Sequence, residues 1–361
     1  MTMLTIRKNP PIHPLEPTGA PWTRCNEAPA PRLTTTVPRE YVHRSSLAEV
    51  FLTGCDLIGA DTFSLTGQWP RAHTFFTSPD GTSHDPVQAG ETIRQVGLYL
   101  CHAVYGVPLG HNVLLWSLDF ASDPDRLRIG RGPSDLTMVA TCTDFGWQGS
   151  RFSGFLQVDI HRSGRLAATG TARFTCVAPA TYRRLRGDRA RTGLARPLER
   201  RTPIPAAAAG RLLPFDVVLS PTEEEGRWLL SPDLDHPILF EHANDHHPGM
   251  VLVEAARQAA CGLHPQDEFI PCAVSTEFEH YAELDAPCWI EATSRTPSII
   301  DVTGHQEGRT IFRSTVTGTA TASRHLTSSL VADSLLADSL ATGTLVTDSL
   351  TTGSLVTGSA L

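Results

Sequence analysis

Two five-residue strings place an acid, a base and an amide in the same order: Glu91-Thr92-Ile93-Arg94-Gln95 and Glu254-Ala255-Ala256-Arg257-Gln258. Positions i, i+3 and i+4 share one helix face, so each string aligns its Glu, Arg and Gln. The surrounding residues are apolar, and burying an unpaired charge is costly, so each Glu and Arg must either satisfy the other or face a site. One reading is a local Glu–Arg pair that packs two halves of the chain together. The other sets Glu91, Arg94, Gln95 and Glu254, Arg257, Gln258 around clefts where a guanidinium meets an anionic ligand. The forked donors of arginine suit phosphate in particular.

The segment HPILFEHANDHHPGMVLVEAARQ leads into the second string. Pro248-Gly249 opens a helix there and exposes its first backbone N–H groups, which can polarise a thioester carbonyl. His236, His242, His246 and His247 lie just ahead, near enough for one to act as general base on an attacking hydroxyl. The matching stretch of the early half carries His73, His84 and Asp85. His73, His236 and His247 are the favoured candidates, with a plain loop role as the alternative for each. No metal is expected, because no H-x-x-x-H pair falls on an expected helix and no cysteine joins the histidines. With no G-x-S-x-G elbow and no Cys with an evident His partner, transfer is expected to be direct, without a covalent acyl-enzyme. Neither a dinucleotide fingerprint nor a phosphate loop is present, and no cofactor is expected.

The elements that must position these residues come in a repeated order. Phe63–Trp69 alternates as a half-buried strand, Gln88–Tyr105 is too long and too apolar for anything but a buried helix, and β-rich stretches follow at 112–120, 135–145, 152–161 and 165–177. After an arginine-rich stretch the order returns: FDVVLS and RWLLSP, a helix over Pro248–Gly262, then FIPCAVSTEFEHY, CWIEATSR, SIIDVTGHQ and RTIFRSTVTGTA. Both last strands contain T-G-T-A, Thr169–Ala172 and Thr317–Ala320. Together with the twin E-x-x-R-Q strings this indicates a duplicated fold. A long apolar helix followed by an antiparallel sheet that can wrap it is the pattern of a hotdog domain, since the helix must bury nearly its whole surface. The expected architecture is therefore α+β, a tandem double hotdog with a long central helix wrapped by an antiparallel sheet in each half. The expected divisions are a leader (1–37), a first domain (38–180), an Arg/Pro/Ala-rich linker (181–212), a second domain (213–322) and a tail (323–361). The linker is read as a solvated spacer or as a docking strip for an acidic partner. The tail repeats five residues, LVADS through LVTGS, and is expected to be disordered.

Length and composition fit this division. The 361 residues are enough for two cores. Hydrophobic residues make up 40% and charged residues 19%, and no apolar run is long enough for a spanning helix. Thirty basic against thirty-eight acidic side chains leave a formal charge of -8, which argues against nucleic acid as a partner. Arg7 and Lys8 are not followed by an apolar core, so no secretory signal is read, and eight scattered cysteines without a C-x-x-C pair read as reduced thiols. A cytoplasmic protein that neither spans nor binds a membrane is the expectation.

The chain resembles the A-factor biosynthesis (AfsA-type) γ-butyrolactone synthases over roughly residues 38–322. The resemblance rests on VHRSSLAEVF (42–51), WPRAHTFF (69–76), DPVQAGETIRQ (85–95), YGVPLGH (105–111), GRLAATGTA (164–172), YRRLRGD (182–188), DHPILFEHANDHHPGMVLVEAARQAA (235–260) and YAELDAPCWIEA (281–292). It implies transfer of a β-ketoacyl group from acyl carrier protein to the hydroxyl of dihydroxyacetone phosphate, with a homodimer as a candidate assembly. On that basis Arg94 or Arg257 would hold the phosphate. Glu91 or Glu254 with a loop histidine would deprotonate the alcohol, and the N–H groups at Gly249 would stabilise the oxyanion. His236, Pro248, Gly249, Leu252, Glu254 and Gln258 also resemble the pattern of hotdog acyl-carrier-protein dehydratases, although the loop after His236 is longer and no glycine follows Pro86. A hotdog dehydratase or thioesterase, or a non-catalytic acyl- or lactone-binding regulator, are the alternative functions.

Overall fold

The computed structural model describes residues 34–190, 196–241, 244–264 and 268–321. Most of the expected leader, His242 and the whole five-residue-repeat tail lie outside the described residues. Twelve strands form one antiparallel sheet in the order β1-β2-β4-β5-β6-β3-β9-β12-β11-β10-β8-β7. The first six are β1 (Leu52–Gly59), β2 (Thr62–Trp69), β3 (Asn112–Ser122), β4 (Ser134–Gln148), β5 (Arg151–Arg162) and β6 (Arg165–Val177). The second six are β7 (Leu219–Pro221), β8 (Arg227–Leu230), β9 (Glu268–Phe278), β10 (Cys288–Thr296), β11 (Ile299–Gln306) and β12 (Arg309–Thr321). The halves meet through β3 and β9, paired from Ser117↔Glu277 to Ala121↔Ala273.

Each half wraps one long helix: α1 (Val87–Tyr99), extended by a π-helical turn at Leu100–Val104, and α3 (Gly249–Gly262). Gly106, at φ 67°, follows the first helix. The helices bury almost every side chain, α1 against β3, β5 and β6 and α3 against β9 to β12, and they touch one another. This is the expected double hotdog. In β4 the residues Leu136, Met138, Ala140 and Cys142 point to the core while their neighbours Thr137, Val139 and Thr141 face out, the period-2 signature of a one-faced sheet. The duplicated T-G-T-A has a packing cause. A Cβ on Gly170 would collide with Asp119 O and Ile93 Cδ1, and one on Gly318 would meet Ile270 O and the Phe269 ring at 2.6 Å, so both positions require glycine's missing side chain.

Two elements were not anticipated. Strand β1 (LTGCDLIG) lies on the sheet edge with only Leu52 buried and no alternation to betray it. Within the expected linker, α2 (Pro179–Arg186) forms just after β6, Ile204 and Ala209 join the core, and Arg186 and Arg211 are buried. The described part of residues 181–212 is therefore not a solvated spacer. Among the described residues no helix is long and apolar enough to cross a membrane.

Candidate active site

The two E-x-x-R-Q faces build matching buried stars around a glutamate. Glu91 accepts from its own helix through Arg94 Nε (2.8 Å), Arg94 Nη2 (2.8 Å) and Gln95 Nε2 (2.8 Å), and from outside through Arg44 (2.7 Å). Glu254 accepts from Arg257 Nε (3.0 Å), Arg257 Nη2 (2.8 Å) and Gln258 Nε2 (2.6 Å), and from outside through Arg211. Burial alone would raise each carboxyl's pKa, but the paired guanidinium groups outweigh it and hold both well below the ordinary range. Each outer arginine also reaches the other half. Arg44 Nη1 donates to Ile238 O and Glu241, both at 2.9 Å, while Arg211 Nη1 donates to Phe75 O and to Asp85 (3.1 Å). Arg44 and Arg211 escaped the sequence reading because neither belongs to a repeated string.

The loop histidines pair in the same way. His73 Nδ1 accepts from Phe75 N (3.1 Å) and Phe76 N (3.0 Å), and its Nε2 lies 3.2 Å from Glu49. His236 Nδ1 accepts from Ile238 N (3.2 Å) and Leu239 N (3.1 Å), and its Nε2 lies 3.0 Å from Asp216. Both nitrogens of both rings are thus engaged in shaping the loops that Arg211 and Arg44 grip. His84 and His247 form a second histidine pair, and the pairs 73/236, 84/247, 91/254, 94/257 and 95/258 keep one constant separation along the chain. Both rings leave Nδ1 buried without a partner among the described residues. His84 is closed in by Ser134 Oγ at 2.9 Å and by the Trp69 ring. His247 lines a cavity of about 370 Å³ together with Arg200, Arg201, Ser231, Leu234 and Trp289. Burial pushes the His247 imidazole down to about 3 and His84 to about 4, so both rings are neutral near pH 7.

The stars differ in what they leave open. All of Arg257 is sealed: Nε and Nη2 bind Glu254, Nη2 also binds Ala209 O (2.9 Å), and Nη1 sits 3.8 Å from Cys261 Sγ. Its side chain is 4% exposed, against 21% for Arg94. Arg94 commits Nε and Nη2, while its Nη1 has no partner among the described residues. It lines a small groove with Ile93, Gly97, Leu98, Val113, Leu115 and Phe174. Leu115 also abuts Gly249, lying 3.5 Å from the point a Cβ there would occupy, so this one side chain joins the groove wall to the first turn of α3. No side chain among the described residues caps that turn. Of the expected site residues, Arg94 lines a small apolar groove, Gly249 packs against Leu115 of its wall, His247 faces a separate cavity, and Glu91, Glu254, Gln95, Gln258, Arg257, His73 and His236 lie in the buried frame.

The family described as the A-factor biosynthesis hotdog domain matches residues 26–178 and 194–322. A 2-oxo-3-(phosphooxy)propyl 3-oxoalkanoate synthase of Streptomyces virginiae is 46% identical over 286 residues, covering 78% of this chain and 96% of that protein. One of the same name from Streptomyces coelicolor is 40% identical over 290 residues, covering 79% and 92%. Among solved structures, an acyl-ACP thioesterase from Bacteroides thetaiotaomicron aligns with a TM-score of 0.44 at 10% identity, over 71% of this chain and 98% of that one.

Proposed function

The chain belongs to the A-factor biosynthesis hotdog family, and from that membership we infer that it joins a 3-oxoacyl chain to the hydroxyl of dihydroxyacetone phosphate, the reaction of its Streptomyces relatives. The donor is a thioester on acyl carrier protein. The observation that supports the site assignment is Arg94 Nη1, without a partner among the described residues, on the wall of a small apolar groove whose Leu115 also packs against Gly249 at the start of α3. An acyl chain lies along the groove between α1, β3 and β6. Its thioester carbonyl meets the first N–H groups of α3, whose partial positive charge stabilises the oxyanion of the tetrahedral intermediate. Arg94 supplies a donor for the acceptor's phosphate, a role Arg257 cannot fill with its donors turned inward. Glu91 and Glu254, each held by two arginines, position the helices and do not move protons.

One observation favours a second placement of the acceptor. The cavity at His247 carries Arg200 and Arg201 on its wall and is large enough for a small phosphate ester. The Michaelis constant for dihydroxyacetone phosphate separates the two: Arg94→Ala raises it in the first placement and Arg201→Ala in the second.

The reaction is tested by incubating the purified full chain with 3-oxoacyl carrier protein and dihydroxyacetone phosphate and following the phosphorylated ester by mass spectrometry. The ester is expected only when both substrates are present, and faster from the carrier than from a 3-oxoacyl pantetheine. Loss of thioester without the acceptor indicates a thioesterase, dehydration of a 3-hydroxyacyl donor a dehydratase, and tight lactone binding without turnover a regulator.

A further inference from the structure

His246, the neighbour in sequence of the cavity-lining His247, has surroundings unlike those of the other loop histidines. Its Nδ1 lies 2.6 Å from Asp245 Oδ1. Asp245 is gripped in turn by the Tyr182 hydroxyl (2.7 Å) and by Arg186 Nε (2.9 Å). Arg186 is itself immobilised: Nη1 and Nη2 each donate to Glu283 at 2.7 Å, and its guanidinium stacks 4.1 Å from the centre of the Tyr281 ring. Tyr281 stands edge-on to the imidazole, with ring centres 4.7 Å apart. Two segments distant in sequence, α2 with Tyr182 and Arg186 and the stretch with Tyr281 and Glu283, thus converge on Asp245 and His246 and orient one ring.

We propose that His246 is the general base of the acyl transfer, and that Asp245, locked by Tyr182 and Arg186, is the residue that positions it; the proposal rests on the acyl-transfer reading above. A carboxylate only accepts, so Nδ1 must carry the hydrogen, and Nε2 then presents its lone pair. His73 and His236 show the contrary arrangement, with Nδ1 accepting from two backbone N–H groups and Nε2 held by a carboxylate. In His246 no bond to Nε2 occurs among the described residues, and the side chain is 23% exposed. A ring used only to pin a loop has no need of an oriented, free Nε2. Burial alone would raise the Asp245 pKa, but the bonds from His246, Tyr182 and Arg186 more than offset this and keep it a carboxylate at neutral pH. The location fits as well. His246 lies three residues before Gly249, and Tyr281 follows closely after Phe278, whose ring borders Gly249.

The step balances without any added reagent. Nε2 removes the proton of the acceptor hydroxyl as its oxygen bonds to the thioester carbon, and the carbonyl pair becomes the oxyanion at α3. Collapse of that intermediate breaks the C–S bond, and the leaving thiolate takes the proton back from Nε2. The products are the ester and the free carrier thiol, with the Nδ1 hydrogen remaining between His246 and Asp245 throughout.

The test compares the full chain with His246→Gln and Asp245→Asn in the ester assay, with melting temperature measured alongside. For His246→Gln, kcat falls about 10²–10⁴-fold while KM for dihydroxyacetone phosphate and melting temperature stay near wild type. Asp245→Asn loses kcat by about tenfold or more, also without a matching rise in KM. A measurement on the unaltered chain covers the case in which a variant folds poorly. Diethylpyrocarbonate is expected to modify His246, abolish activity in step with that modification, and be excluded by a bound 3-oxoacyl thioester. A His246→Gln enzyme within tenfold of wild-type kcat, or full activity after His246 is modified, overturns the proposal. A wild-type chain that makes no ester rejects the acyl-transfer reading itself, independently of either variant.

Discussion

The first turns of α1 and α3 occupy equivalent places in the two halves and have been put to different uses. At α1, Asp85 Oδ1 accepts the Val87 N–H at 2.9 Å and its other oxygen binds Arg211, so a carboxylate of the protein fills the positive end of the helix. At α3 the equivalent position is Pro248, no side chain among the described residues caps the turn, and its first N–H groups are open to another acceptor. The surrounding frame is otherwise the same: one glutamate, two arginines, one glutamine and a loop histidine per half. Duplication has therefore left one helix start as a structural joint and the other uncapped, the end to which the proposed mechanism assigns the oxyanion. The stars tie the halves together, since each outer arginine grips the loop of the opposite half.

The comparison is most strongly tested at the two glutamates. Glu254→Gln leaves Arg257, almost sealed, without a counter-charge and Arg211 with Asp85 alone, and a loss of about 3–5 kcal/mol in urea unfolding is expected. Glu91→Gln costs about 1–2 kcal/mol less, because Arg94 can turn its charge toward water. Equal losses would show that the exposure of Arg94 has no energetic meaning. Next in size is Pro248→Asp, which makes α3 begin as α1 does. The new carboxylate competes with the oxyanion for the same N–H groups, so kcat is expected to fall about 10²–10³-fold with the melting temperature unchanged or raised. An active Pro248→Asp enzyme would remove the first turn of α3 from the mechanism.

A pH-dependent effect follows from His84 and His247, which burial holds at about 4 and about 3, below the ordinary 6.5. Between those values the unfolded chain binds more protons than the folded one, so stability falls as pH falls. Each ring contributes a slope of about 1.4 kcal/mol per pH unit. Both act from pH 6.5 to about 4, and His247 alone continues to about 3. Urea titrations at a series of pH values should show His84→Gln and His247→Gln flattening the upper window alike, with only the His247 variant altering the lower one.

The frame was legible where it obeyed a period. The helices, most of the strands and the shared face of Glu, Arg and Gln could be read because 3.6- and 2-residue spacings are written in neighbouring residues. T-G-T-A was visible as a duplicate, though its cause, a strand and a helix side chain pressing on Gly170, was not. The partners were illegible because they come from afar. Arg44 lies 47 residues before Glu91 and Arg211 lies 43 before Glu254, each in a segment without regular pattern. Arg186 was hidden by company of its own kind, one guanidinium in a run of arginines, and only the fold separates it as the one that clamps Asp245. His73 and His236 show the converse: their chemistry suggested a base, a loop role was the alternative, and both nitrogens of each ring bond within the frame.

The smallest effect concerns the groove. Along α1, Gly97 occupies the place that Ala260 takes in α3, so one methyl group is missing from the helix wall beside Phe174. A Cβ at Gly97 would lie 3.3 Å from Leu156 Cδ2 and 3.6 Å from Phe174 Cε1, close enough that one leucine terminus must shift slightly. Replacing a helical glycine by alanine stabilises by up to about 1 kcal/mol, which offsets that crowding and leaves stability nearly unchanged. The groove is shortened by roughly one methylene, worth about 0.8 kcal/mol or fourfold in relative kcat/KM. Gly97→Ala is therefore expected to shift preference about fourfold toward the shorter of two 3-oxoacyl donors differing by one carbon, with KM for dihydroxyacetone phosphate unmoved. If donor preference is indifferent to this methyl group while the enzyme remains active, the acyl chain does not lie along α1, and the cavity beside His247 becomes the place to seek it.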